Sequence, residues 1–548
     1  MTTTSHQAPT TPTSPATPAA PTSERPEMHP TRWGDPARAT GLPDGARGLV
    51  ELAFGVDEQV MATTPEAPLA PCALPAEVLD ALRTAVGDEH VRTDDDVRRL
   101  RTRGKSTPDL LRARAGDLTD APDAVVRPAG HHEVAAVLAV AVEHHVAVVP
   151  FGGGTAVTGG LVARREGYAG VVSLDLVRMK RLLAVDETSM TATLEPGLRG
   201  PEAEALLAEH GLTIGHFPQS FEHATIGGFA ATRSSGQSSA GYGRFDALVV
   251  GLRVATPRGE VRLGSSPANA AGPDLRQLFL GSEGTFGVLT EVTVRVRRVP
   301  AVKEYEGWRW PDFAAGADAM RTLAQAGLAP TVLRLSDEHE TSLNLADPDA
   351  VGSSDASGCL MIVGHEGDAD LVAARRTAVA AVLEARGGTP LGTEPGERWA
   401  HGRFDAPYLR DALLDVGVVV ETLETASFWS RRQELYDAVR GALVDALGDG
   451  AIVLCHVSHV YETGCSLYFT VAVKADAEDP FGQWQRAKTA ACDAIADQGA
   501  TITHHHAVGT DHKPWLTREI GELGGSVLRA VKRDLDPTRV LNPGVLVP

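Results

Sequence analysis

Between residues 31 and 117 apolar side chains recur three and four apart among polar ones: Leu79, Leu82 and Val86, then Val97, Leu100, Leu110 and Leu111. That is the period of helices burying one stripe, so this stretch reads as a mostly helical lead-in. The pattern changes at Asp123, where a short apolar run before Pro128 predicts a first strand. A helix over 132–145 follows, apolar at Val134, Val137, Leu138 and Val142, and then a buried strand over 146–150. From 170 to 300 strands dominate. They are expected at 171–176 and 190–194, in a hairpin of 252–256 with 261–263 turning through Pro257 and Gly259, and over 288–296. The last alternates strictly, with Val292, Val294 and Val296 facing one way. Short helices intervene at 201–210 and 274–280.

Residues 301–500 predict a second α+β unit. Helices over 312–326, 367–386 and 430–447 separate strands at 359–363, 451–455 and 466–473. A closing segment, 501–548, carries three adjacent histidines and a helix over 516–533. The fold class is therefore α+β, with units at 118–300 and 301–500 behind the lead-in at 31–117.

Length and charge narrow this picture. At about 150 residues per domain, 548 residues suit two large units with short arms. Lys and Arg number 51 against 71 Asp and Glu, a net charge of −20 without a like-charge run. Such a surface argues against non-specific nucleic-acid binding, which neutralises phosphates with basic side chains. Five widely spaced cysteines (Cys72, Cys359, Cys455, Cys465 and Cys492) form neither a disulfide framework nor a zinc knuckle. No apolar stretch approaches a membrane span, and residues 1–30, rich in Pro and Thr, read as a disordered tail with no signal peptide. A reducing cytoplasm is the expected location.

Candidate chemistry begins directly after the predicted strand over 146–150. Gly152, Gly153 and Gly154 permit positive φ and let backbone N–H groups approach a ligand closely, a nest suited to phosphate oxygens. No GxGxxG opens a helix here and no Lys-Ser/Thr follows, so neither the dinucleotide fingerprint nor the P-loop fits. Alone, the cluster is equally a structural turn. Two further loops in the same unit change the odds: one around Gly227 and Gly228, and another from Gly281 to Gly287 running into the last strand. Three backbone-rich loops suit one elongated, multi-phosphate cofactor.

In that order the loops resemble the FAD-binding domain of the vanillyl-alcohol-oxidase/PCMH type over roughly residues 118–300. The resemblance implies a two-subdomain FAD-binding domain with an α+β cap that holds substrate. The first loop would take the pyrophosphate through Pro150, Phe151, Gly152, Gly153, Gly154, Thr155 and Ala156. The later loops would reach the rest of the cofactor through Gln219, Ser220, Phe221, Glu222, His223, Ala224 and Thr225, and through Thr232, Arg233, Ser234 and Ser235. Glu283, Gly284, Thr285, Phe286, Gly287, Val288 and Leu289 complete the set. Many members attach flavin to a histidine near the first loop. None stands there in this chain, which implies non-covalent FAD.

From Trp33 onward the chain also resembles the alkyldihydroxyacetonephosphate synthases, flavoenzymes that begin ether-lipid synthesis. The order of Arg101-Thr-Arg-Gly, Thr232-Arg-Ser-Ser, Tyr408-Leu-Arg-Asp, Leu467-Tyr-Phe and His504-His-His-Ala-Val-Gly carries the likeness. It implies that Arg410 binds the substrate phosphate, that Arg233 is a second essential arginine, and that Tyr468 is the acid/base. It also places His504, His505 and His506 at the active site. The reaction implied replaces the acyl group of acyl-dihydroxyacetone phosphate by a long-chain alcohol, with flavin N5 bonded to the substrate carbon while the leaving group departs. Its partners would be a phosphorylated lipid and a long-chain alcohol. Such substrates suggest peripheral membrane contact, although no amphipathic anchor is evident, and a homodimer stays open.

The residues themselves allow blander readings. Arg410 suits a phosphate bidentately but is equally a salt-bridged arginine. Tyr468 lies in an apolar strand where tyrosines are commonly core, and proton transfer calls for its pKa to fall from about 10. Side chains alternate in an extended segment, so at most two of the three histidines should face one site. Metal ligation, a surface run and proton handling all remain readings of that triplet, though no cysteine stands at a useful spacing and no metal is assigned. His456 and His459 are expected to be structural or to line the pocket. Three departures from the family pattern bear on the substrate: Gln237-Ser-Ser where basic residues are usual, Phe286 for leucine, and Ala507 for glycine. The rival is an FAD-dependent 2-hydroxy-acid dehydrogenase of the D-lactate or glycolate type. Those enzymes carry Glu-His-Gly where this chain has His505, His506 and Ala507.

Overall fold

The computed structural model describes residues 26–42, 44–57, 68–344 and 358–548. The tail over residues 1–25 lies outside these. Residues 26–30, read from sequence as the end of that tail, are instead placed against the lead-in. Arg101 donates to both Glu27 carboxylate oxygens at 3.0 and 2.9 Å, and Lys105 Nζ donates to the His29 carbonyl at 2.6 Å. Arg101 and Lys105 are buried, and buried cations need such acceptors.

A four-stranded sheet takes the order Val91–Arg92, Ala124–Val126, Val171–Asp175, Ala147–Phe151. Its last three strands are parallel. They read as continuous apolar runs because both faces are covered. The helix His131–His144 buries Val134, Val137, Leu138 and Ala141 at helical spacing. Beside this sheet a five-stranded antiparallel one runs Leu182–Asp186, Thr191–Leu194, Val288–Arg295, Val249–Thr256, Gly259–Leu263. The alternation along Val288–Arg295 places Val292 and Val294 in its core.

Residues 302–474 build a seven-stranded antiparallel sheet in the order Thr389–Gly392, Val302–Trp310, Cys359–Gly367, Val332–Ser336, Ile452–Val457, Gly464–Lys474, Val418–Phe428. Helices Phe313–Gln325, Arg432–Leu447 and Pro480–Asp497 contribute to its main core. Four of its strands have no counterpart in the sequence reading, and two of these bury charge. Val302–Trp310 carries Glu306, which accepts from the Trp308 indole at 3.0 Å and from Arg376 at 2.8 Å. Val418–Phe428 carries buried Glu421 and Glu424.

After the helix Lys513–Leu535 the chain returns to the first sheet. Val148 N–H donates to Val540 O and Asn542 N–H to Val148 O, at 2.7 and 2.8 Å. Asn542 Nδ2 then donates to the Gly160 and Glu283 carbonyls at 3.1 and 2.7 Å, tying the C-terminus to two of the glycine-rich loops. All five cysteines are free, and no helix among the described residues is long and apolar enough to cross a membrane.

Candidate active site

The strand Ala147–Phe151 ends in the first glycine loop, which rests on the second. A Cβ on Gly152 would stand 2.5 Å from Thr225 Oγ1, and one on Gly153 only 2.0 Å from the His223 carbonyl. Either would force the loops apart. Thr225 caps the helix Ile226–Thr232 by accepting from Gly228 N–H at 3.2 Å. The third loop joins the same assembly: Glu283 N–H donates to Ala231 O at 2.9 Å, and Gly284 packs on the Pro150 ring. The Glu283 carboxylate accepts from Val508 and Gly509 N–H, and burial pushes its pKa up to about 7.

These loops suit an elongated polar cofactor. Gln219 Nε2, His223 Nδ1, Ser235 Oγ and Thr285 Oγ1 are buried without a hydrogen-bond partner among the described residues, one or more from each later loop. Buried polar atoms in folded proteins are ordinarily paired. A cavity of about 260 Å³ at the first loop is lined by the backbone of Gly152, Gly153 and Gly154, with Arg199, with Arg101 held by Glu27 and Asp175, and with Lys105 held by the His29 carbonyl. Some of the expected contacts are engaged elsewhere. Glu222 accepts from Arg38 at 2.7 Å, Ser234 Oγ meets His216 Nε2 at 3.1 Å, and the Ala156 carbonyl accepts from Lys105 N–H at 2.7 Å.

Over on the cap sheet, Tyr468 stands in register with Glu424 on one neighbouring strand and His456 on the other. Its ring is nearly parallel to His456 (4.7 Å, 20°) and to His505 (5.9 Å, 18°), and edge-on to His506 (5.6 Å, 84°). All three histidines of the triplet join this cluster, contrary to the expectation of at most two. The reason is that residues 504–506 bend rather than extend, so their backbone N–H groups converge on one acceptor. The Glu424 carboxylate accepts from His504 N–H at 2.5 Å, His505 N–H at 3.2 Å, His506 N–H at 2.9 Å and Thr503 Oγ1 at 2.5 Å. The bend ends at Ala507, whose φ of 73° lies in the left-handed region that favours glycine.

Electrostatics follow from burial. Burial alone would raise the Glu424 pKa, but the hydrogen bonds converging on the carboxylate from Thr503 and the three histidine N–H groups hold it well below 4.5. Burial lowers His504 to about 3 and His505 well below 6.5, with Glu424 offsetting only part. His506 is lowered in the same way. Tyr468 departs from expectation: burial first, and then Glu424 and Glu421, push it up to about 12 rather than down. A phenol in that setting is a proton donor at rest.

Arg410 lies on the helix Ala406–Asp415. Its Nη1 donates to the Lys105 carbonyl at 2.8 Å and its Nε to Asp411 Oδ1 at 3.1 Å. Buried Nη2 is 3.1 Å from that same oxygen without hydrogen-bond geometry, so one guanidinium edge has a donor to spare. Arg233 sits apart. Its side chain meets Gln277 and, at 3.9 Å, Asp246, in an open cleft of about 670 Å³ shared with Arg244, Arg297 and Tyr461. Tyr461 links cleft and histidines, its hydroxyl 2.5 Å from His504 Nε2.

Sequence reasoning missed Glu424, Tyr461, and a supporting pair behind Tyr468. His456 Nδ1 lies 3.0 Å from Glu340 Oε2 and 3.0 Å from Arg334 Nη2. A glutamate interrupting the apolar strand over 418–428 was the available signal.

The glycine-loop groove, the antiparallel cap and the returning C-terminus define a flavoprotein of the FAD-linked oxidase class. Residues 122–264 match the family model described as "FAD binding domain", and residues 299–546 match "FAD linked oxidases, C-terminal domain". A solved p-cresol methylhydroxylase shares the fold at TM-score 0.66 and 16% identity, covering 87% of this chain and 98% of its own. Within this class the chain belongs to the alkyldihydroxyacetonephosphate synthase family, and FAD is its cofactor. It is 36% identical to the alkyldihydroxyacetonephosphate synthase of Trypanosoma brucei brucei, over 86% of this chain and 80% of the relative. A solved alkyldihydroxyacetonephosphate synthase structure superposes at TM-score 0.79 with 30% identity, covering 94% of this chain and 98% of that one.

Proposed function

We propose that this protein exchanges the acyl group of acyl-dihydroxyacetone phosphate for a long-chain alcohol, releasing a fatty acid. One observation carries the reading beyond family membership: the Tyr468 phenol and the His505 and His506 imidazoles cluster over a single buried carboxylate, Glu424. Such an exchange needs one proton given and one taken, with no net redox change. Bound FAD would supply the nucleophile that lets one hard displacement proceed as two easier ones.

In this reading Tyr468 donates its proton to the departing carboxylate oxygen. His505 or His506 takes the proton of the incoming alcohol, and ionised Glu424 stabilises the imidazolium so formed. The proton returns to Tyr468 through the ring cluster and resets the site. Arg410, whose Nη2 has no hydrogen-bond partner among the described residues, would take the substrate phosphate. Replacing Arg410 by Ala tests that assignment: a raised KM for the phosphorylated substrate supports it, and an unchanged KM removes it.

A further inference from the structure

We propose that His459, His504 and His505 form a binding site for a divalent cation of the zinc type. One ligand nitrogen of each lies within 4.8 Å of the other two. His504 Nδ1 and His505 Nδ1 are 3.0 Å apart, and a tetrahedral zinc with bonds of about 2.0–2.1 Å sets adjacent nitrogens about 3.3 Å apart. The third ring, His459, stacks on His504 at 5.0 Å, and its Nδ1 is buried with no hydrogen-bond partner among the described residues. An unpaired buried ring nitrogen is costly, and a cation would relieve that cost.

One of the three rings has the outer partner that metal-binding histidines commonly carry, and the backbones of all three are held in place. Tyr461 meets His504 at Nε2, which turns Nδ1 toward the cluster. Glu424 grips the backbone N–H groups of His504 and His505, fixing where both rings begin. Ser466 Oγ does the same for the His459 N–H at 3.2 Å. Three imidazoles leave a fourth position for water or a substrate oxygen.

The inference rests on the exchange reading in one respect. A cation here takes nitrogens of His504 and His505, so occupancy opposes proton transfer and zinc acts as an inhibitor. The test uses the full-length, FAD-loaded protein treated with EDTA, desalted, and titrated with Zn²⁺ alone. Metal content is read after equilibrium dialysis, and the ligands are read by X-ray absorption of the zinc-loaded sample. One zinc per chain, with three imidazoles at about 2.0 Å, is expected. His459→Gln and His505→Gln should each weaken zinc binding at least about tenfold. The absence of stoichiometric zinc, or a bound zinc with fewer than three imidazoles, overturns the site. The absorption measurement needs no variant, so a substitution that prevents folding leaves the answer intact. Exchange should fall at least about tenfold with zinc bound, as expected for loss of general acid–base help, and EDTA should restore it. Zinc on three imidazoles with exchange undiminished would uphold the metal site and overturn the role of His505 in proton transfer.

Discussion

Glu424 and Tyr468 stand directly opposite each other on the paired strands Val418–Phe428 and Gly464–Lys474. From that position the carboxylate gathers the N–H groups of three successive histidines, and the phenol lies against two of their rings. One cross-strand pair thus organises a loop some eighty residues away in sequence.

Glu424→Gln keeps the size of the side chain but removes the charge on which the loop depends. Hydrogen bonds to a charged acceptor are worth about 1.5–3 kcal/mol each, so the triplet should lose its bend. Exchange should drop by about 10²-fold or more while FAD stays bound. Activity within about twofold of the parent, measured on protein with full flavin content, would contradict this account.

Tyr468→Phe should lower exchange by about 10²–10⁴-fold with the flavin spectrum unchanged. The pH profile of the parent is the companion test. With Tyr468 held at about 12, the phenol stays protonated as pH rises through 10. With His504 held at about 3 and His505 and His506 below 6.5, the imidazoles stay neutral as pH falls through 6.5. The profile of kcat should therefore show neither an acid limb at 6.5 nor an alkaline limb at 10.

Arg410→Ala removes a guanidinium with one donor to spare. A charged hydrogen bond of about 1.5–3 kcal/mol converts to a KM some 10–100-fold higher for the phosphorylated substrate. The value of kcat should change far less. Steady-state kinetics at saturating alcohol separate the two.

Acid stability follows from the buried histidines. His216, His504 and His512 are each held at about 3 by burial, against 6.5 when exposed. Below 6.5 the unfolded chain binds protons that the folded chain refuses, so stability falls as pH drops from 6.5 toward 3. Denaturant midpoints at pH 7, 6 and 5 should decline in that order. A midpoint that holds constant across the series would contradict it.

Much of the architecture is legible in the chain because local pattern and burial agree. The helix read at 132–145 forms as His131–His144, and the alternating strand read at 288–296 forms as Val288–Arg295. The glycine loops are equally readable, since only small residues survive contacts such as that of Gly153 with the His223 carbonyl. What escaped is charge held inside strands. Glu306 and Glu424 break the apolar period, and only tertiary partners explain their burial. The triplet was misjudged for the same reason. An extended segment alternates its side chains, but a buried carboxylate bends the backbone and turns all three rings into one cluster. Burial sets the direction of the Tyr468 shift, and Glu424 and Glu421, from a strand that sequence pattern did not reveal, add to it.

The most direct measurement of the central claim is one anaerobic incubation of the FAD-loaded protein with acyl-dihydroxyacetone phosphate and a long-chain alcohol, read by mass spectrometry. The account predicts alkyl-dihydroxyacetone phosphate and free fatty acid in equal amounts, with the flavin oxidised before and after. Intact acyl substrate, together with flavin that D-lactate or glycolate reduces, would contradict it and assign the protein to the 2-hydroxy-acid dehydrogenases.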